Sequence, residues 1–198
     1  SNWYFWTQRF VKFPNDKMIE KEKNIQINLI RLITRLIFVW FLKEKKLVPD
    51  KLFDKKEIKK ILKKFDSEGE QAKNYYTAIL QNLFFATLNQ KMNEREFIVE
   101  GKYEENRNQY GVKTLYRYSE QFNCSKEDVI KLFQDIPLLN GGLFDCLDKE
   151  NEDTGKVEYI DGFSRNGQKV PTVPDLLFFG SERFEDLSEA YGYNRSKE

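Results

Sequence analysis

The sequence has no histidine in 198 residues, and that one gap removes a large share of the usual catalytic chemistry. Without imidazole there is no Ser–His or Cys–His nucleophile pair, no histidine-ligated zinc, and no access to the commonest general base. Cysteine is nearly as scarce. Cys124 and Cys146 are the only two, far apart and without C-x-x-C spacing. They read as reduced intracellular thiols, with a single structural disulfide as the other option. An excess of one charge is lacking too. The 33 Lys and Arg against 32 Asp and Glu leave a formal net charge of +1, so any basic surface must come from segregation along the chain. No Walker phosphate loop and no G-x-G-x-x-G fingerprint occur. No signal-peptide pattern is found. The most apolar run, Leu29 to Leu42, is interrupted by Arg31, Thr34 and Arg35 and reads as too short to span a bilayer. A cytoplasmic protein without a membrane partner is the expectation.

What is present is aromatic and helical. Apolar residues make up 40% of the chain, with 17 Phe and 10 Tyr, which is enough to build one core and excludes a disordered chain. The pattern predicts a mainly α fold: a bundle-like helical domain over residues 1–198, with a helical core at 1–147. Residues 148–198 are expected to add a loop, a small β-ribbon and a terminal helix.

Trp3, Trp6, Phe10 and Phe13 recur at helical steps before Pro14, as one face of a short docked helix would. Residues from about Lys21 to Lys46 read as one long helix, apolar nearly all round and therefore expected at the centre of the core. Asp54 followed by Glu57 resembles a capping box opening a helix with a buried stripe of Ile58, Ile61, Leu62 and Phe65. A further helix is expected from about Glu70 to Lys91 and a modest one from Thr114 to Phe122. Ser125 with Asp128 marks another helix start. Val157–Ile160 alternates as a strand, and Asn166-Gly167 reads as a hairpin turn leading to Lys169-Val170. Pro171 and Pro174 make Leu176–Phe179 an anchored connection, and Ser181–Ala190 a last helix.

Two groups are candidates for phosphate contact. Arg31 and Arg35 lie four apart on the long helix and are either arginines satisfied at the edge of the core or a pair of phosphate clamps. Lys55, Lys56, Lys59, Lys60, Lys63 and Lys64 crowd the polar faces of the capped helix; a solvated face explains them, as does contact with a nucleic-acid backbone. Glu70 and Lys73 sit within an amphipathic helix without a paired aspartate, so helix salt-bridge chemistry accounts for them. No residue stands out as catalytic or metal-binding. The Asn140-Gly141-Gly142 turn, flanked by Leu139, Leu143 and Phe144, reads as a fold-defining corner in which Gly and Asn can take positive φ, with close approach of a phosphate as the other use. Replacing either glycine by Val is expected to damage folding more than ligand affinity.

The segments Asn2–Trp6 with Phe13-Pro14, Ile30–Lys45 with Leu47-Val48-Pro49, Tyr75–Asn89, Asn140–Phe144 and Val173–Phe179 together resemble a known arrangement. In that order they are similar to the segment upstream of the catalytic domain in large bacterial adenine-specific DNA methyltransferases, including type IIG-like restriction-modification polypeptides. The resemblance implies a helical connector between an N-terminal region, sometimes a nuclease, and a methyltransferase domain. Its partners would be those neighbouring domains and, through the parent protein, double-stranded DNA. The parent would move a methyl group from S-adenosylmethionine to the exocyclic amine of adenine, and some relatives also cleave DNA. The Asn/Asp-Pro-Pro-aromatic signature and the S-adenosylmethionine glycine motif are missing here. No catalytic or cofactor-binding residue therefore carries over, and no cofactor is expected in this chain. The alternative is a protein–protein interaction scaffold without DNA contact, which the near-zero net charge and the aromatic first segment favour.

Overall fold

The computed structural model describes residues 10–14, 21–99, 113–139, 141–150, 157–164 and 169–181. Over these the fold is mainly helical. Its helices are α1 (Lys21–Glu44), α2 (Lys55–Ile61), a π-helix (Tyr75–Thr87), α3 (Lys126–Phe133) and the single-turn α4 (Leu176–Phe179). Capping decides two of the starts. The Asp54 carboxylate accepts from the Lys56 and Glu57 N–H groups to open α2. Ser125 Oγ accepts from Asp128 N–H to open α3 and donates to the Asp128 carboxylate.

The centre of the core is the π-helix and not α1, which corrects the expectation from hydropathy. Every residue from Tyr75 to Thr87 is buried. Its backbone closes over five residues, as where Leu88 N–H donates to the Leu83 carbonyl at 2.9 Å, and the Thr87 side chain adds a bond from Oγ to the Asn82 carbonyl at 3.0 Å. Four polar side chains lie inside this element, and each is tied. Thr77 Oγ donates to Gln121 Oε1, and Gln81 Nε2 to the Asp161 carbonyl. Asn82 exchanges two bonds of 2.9 Å with the Arg117 backbone, and the Thr87 and Tyr116 hydroxyls meet at 3.0 Å. Buried polar groups are tolerable when satisfied in this way.

Both ends of the π-helix are closed by residues distant in sequence. At the start, Tyr75 N–H donates to Asp175 Oδ1. At the finish, the buried Arg95 guanidinium donates to the Thr87 and Gln90 carbonyls. The same guanidinium reaches the Phe133, Gln134 and Ile136 carbonyls at the end of α3. One arginine thus caps two helix C-termini, where the dipole favours a cation.

α1 packs one stripe inward, through Asn24, Asn28, Leu29, Leu32, Arg35, Val39 and Leu42. Its opposite side leaves Ile30, Ile37, Trp40 and Phe41 exposed. At 24 residues it is about 36 Å long. By length and composition its Lys23–Glu44 portion suffices to cross a bilayer, contrary to the reading from the shorter run, although a third of it is buried against the protein.

Three further expectations are corrected. Thr114–Phe122 is not a helix: Tyr116 pairs with Phe97 in a parallel bridge, and only Ser119–Gln121 forms a 3-10 turn. Arg117 and Tyr118 are buried there beside Tyr116, which leaves no polar face for a helix. The expected Glu70–Lys91 helix is confined to the π-helix. Val157-Glu158 pairs backwards, with Lys149-Glu150, in a two-residue antiparallel ladder; Lys169-Val170 is not its partner. The aromatic run Trp3–Trp6, the Asn166-Gly167 turn and the helix beyond Ser181 lie outside the described residues. Both cysteines are free thiols, Cys146 buried and Cys124 half-buried.

Candidate functional site

The two arginines proposed as a pair have different fates. Arg35 is 3% exposed and fully engaged. Its Nη1 lies 2.7 Å from Asp161 Oδ1, and its Nε and Nη2 donate to the Leu143 and Asp145 carbonyls. Burial alone would lower its pKa; the Asp161 charge and hydrogen bond outweigh that and leave it raised. The guanidinium also lies 5.0 Å from the Phe85 ring centroid. In this fold Arg35 is a structural cation and is not offered to a phosphate. Arg31 is half-buried and, among the described residues, reaches Asn28 Oδ1 at 3.4 Å.

Asp161 belongs to a second clasp. The Asp148 carboxylate accepts from four consecutive backbone N–H groups: Ile160, Asp161 and Gly162 on Oδ1, and Phe163 on Oδ2, at 2.6 to 3.0 Å. Asp148 is buried, and these four N–H groups solvate its carboxylate in place of water. Gly162, with φ +66, makes the turn, and an added Cβ would run into the Lys169 carbonyl and lie 2.7 Å from both Pro14 and Pro171. Gly141 and Gly142 need no such freedom. Gly141 is extended at φ −151, and Gly142 opens a 3-10 turn through Phe144. The corner is held as expected by Phe144, buried, and by Leu139 and Leu143 packed on the core.

The six lysines are all exposed, but the capped helix ends at Ile61, so Lys63 and Lys64 lie beyond it and Leu62 and Phe65 do not continue its stripe. Two carry local acids: Lys55 Nζ lies 3.0 Å from Glu68, and Lys60 Nζ lies 2.5 Å from Glu57. The Ser181 hydroxyl, followed by Lys55, pushes Glu68 down to about 2. Lys56, Lys59, Lys63 and Lys64 form no ion pair among the described residues. Their backbone is nevertheless firmly placed. Lys63 N–H donates to the Gln121 carbonyl at 2.8 Å, Asn74 Nδ2 donates to the Lys63 carbonyl at 2.6 Å, and Leu62 bridges Phe122. Lys64 turns the chain away with φ 54. Next to this junction is a cavity of about 200 Å³ with Lys73, Asn74, Thr77, Glu120 and Gln121 in its wall. Its charges oppose one another, so it favours neither anion nor cation.

Among the described residues no group of three or more Cys, Asp or Glu side chains is placed to hold a metal ion. Sequence reasoning missed Arg95, Asp148, Asp161 and Asp175. Asp175, between Pro174 and Leu176-Leu177, is a charge beside an apolar run, a weak cue without knowledge of the partner; Arg95 and Asp148 stand among other charged residues and carry no such signal. Comparison with known protein families, with curated proteins and with solved structures returned no match.

Proposed function

We propose that this chain is a helical connector of a bacterial adenine-specific DNA methyltransferase, and that α2 and its extension rest on the DNA backbone. The observation that supports the contact is the set Lys56, Lys59, Lys63 and Lys64. These cations are exposed, lack acidic partners among the described residues, and sit on backbone pinned to Gln121 and Asn74. Lysines on a rigid segment neutralise phosphates as point charges and position a protein on a duplex without reading its sequence. The parent assignment rests on the order of the motifs described above. The methyl donor, S-adenosylmethionine, would act in the neighbouring catalytic domain. The Gly141-Gly142 corner does not fit it, because these glycines form an extended residue and a 3-10 turn rather than a cradle after a strand. Cytoplasmic placement follows from the same reading.

The test is a salt titration of duplex DNA binding by fluorescence anisotropy. If four phosphates are neutralised, log K should fall against log salt with a slope of about −3.6. Replacing Lys56, Lys59, Lys63 and Lys64 together by Gln should abolish most of that slope. No binding at low salt refutes the DNA contact.

The second reading, a protein–protein scaffold without DNA contact, is favoured by the exposed apolar side of α1. It is upheld if the lysine variant changes nothing and the α1 face binds a protein partner.

A further inference from the structure

The cavity beside the Lys63–Gln121 junction is walled by polar groups that the described fold leaves unused. Residues 73–77, 118–121 and 170–172, three segments distant in sequence, meet around it. Its volume is about 200 Å³. A cavity of about 150 Å³ takes a benzene ring, so this one has room for about ten non-hydrogen atoms. Tyr118 in its wall has left-handed backbone, φ 64 and ψ 35. That conformation is costly for a bulky residue and recurs where a chain is shaped around a ligand. Tyr118 is held in it from inside, since its hydroxyl donates to Gln81 Oε1 and accepts from Ser164 N–H. The turn that follows carries Glu120 and Gln121 to the cavity wall.

The wall sorts into donors and acceptors. Gln121 Oε1 accepts from Thr77 Oγ at 2.6 Å, which leaves its Nε2 group to donate. Asn74 Nδ2 donates to the Lys63 carbonyl at 2.6 Å, which leaves its Oδ1 to accept. Lys73 and Glu120 add one full charge of each sign, and neither forms an ion pair among the described residues. Val170 and Pro171 give the same wall an apolar part. A simple anion entering here meets the Glu120 carboxylate, and a simple cation meets the Lys73 ammonium, so each is penalised. A molecule bearing both charges is not. Its carboxylate is received by Lys73 and Gln121 Nε2, and its ammonium by Glu120 and Asn74 Oδ1, through charge-assisted hydrogen bonds. An α-amino acid with a short aliphatic side chain meets the size limit, supplies both charges and sets its apolar remainder against Val170 and Pro171.

We infer that this cavity, between the start of the π-helix and the Tyr118–Gln121 turn, is a binding site for a small zwitterionic amino acid with an aliphatic side chain. The inference goes beyond the connector reading and does not depend on it. The experiment is calorimetric titration of the intact chain at pH 7 with three compounds of similar size. They are leucine, leucinamide, which keeps only the cation, and 4-methylpentanoate, which keeps only the anion. Leucine should bind at least tenfold more tightly than either analogue. Lys73→Gln should weaken leucine at least tenfold while leaving leucinamide no weaker. Glu120→Gln should weaken leucine at least tenfold while leaving 4-methylpentanoate no weaker. Both side chains are exposed, so the melting temperatures of the unliganded variants should match wild type. No binding of leucine at millimolar concentration overturns the proposal, as does equal binding of the three compounds or indifference to both substitutions. Tighter binding of either analogue than of leucine makes the cavity a simple ion site and overturns it too. Glu120→Gln should leave the salt slope of DNA binding unchanged, so failure of this site and failure of the DNA contact are read separately.

Discussion

Arg35 meets Asp161 across 126 positions of sequence, with Nη1 2.7 Å from Oδ1 and both side chains 4% exposed. This pair fastens α1 to the segment that Asp148 clasps. Removing one partner strands a buried charge, which costs about 3–5 kcal/mol. Arg35→Met should therefore lower the urea midpoint sharply, and Asp161→Leu in the same chain should recover much of the loss. Arg35→Lys should stay well below wild type, because an ammonium cannot also reach the Leu143 and Asp145 carbonyls as the planar fork does.

Arg95 supplies the second test. Its guanidinium serves five carbonyls at two helix ends, so Arg95→Met leaves several buried acceptors without donors. A loss of about 3 kcal/mol is expected from unsatisfied groups of this kind. Thermal unfolding should show it, and hydrogen exchange should rise at the last turns of the π-helix and α3 together. Faster exchange at only one of the two helix ends would contradict the shared cap.

Asp175 should make stability depend on pH in an unusual direction. Burial raises its pKa to about 6, against the opposing effect of the backbone N–H groups of Tyr75, Asp66 and Asn74. Its Oδ2 is buried without a hydrogen bond among the described residues. The folded protein therefore holds this proton more tightly than the unfolded chain does, whose aspartate titrates near 3.9. The contribution is fully present below about pH 4 and is lost as pH rises through about 6. It amounts to about 3 kcal/mol. Urea unfolding should show wild type losing about 2 kcal/mol of this contribution between pH 4.5 and 7.5, a loss that Asp175→Asn does not share. Parallel pH profiles for the two proteins would exclude it.

Glycine substitutions separate the two turns. Gly162→Ala should lower the melting temperature clearly, since left-handed backbone costs a side chain about 1–2 kcal/mol and overpacking adds about 1–3. Gly141→Ala and Gly142→Ala should stay within about 1 kcal/mol. An added Cβ there meets only the Leu139 carbonyl at 3.9 Å and Asp145 Oδ2 at 3.7 Å. This reverses the expectation drawn from the Asn-Gly-Gly sequence.

Local signals were legible in the chain. The Asp54 and Ser125 caps, the long α1 periodicity and the apolar residues that pin the corner after Leu139 all act within a few residues, so the sequence displays both cause and partner. The lysines of α2 and of the segment after it were legible in the same way, because six cations so close in sequence have no buried alternative.

By itself, then, the sequence determined that the fold is mainly helical, where its capped helices start, and which surface is basic. Only the tertiary structure decided which apolar helix is central, because hydropathy cannot tell a face buried by its own chain from one left for another. It also decided that Arg35 is paired with Asp161, that Asp148 is folded into a backbone nest, and that Gly162 rather than Gly141 carries the positive φ. Each of those depends on groups far apart in sequence, whose meeting costs chain entropy and is settled only when the whole core forms.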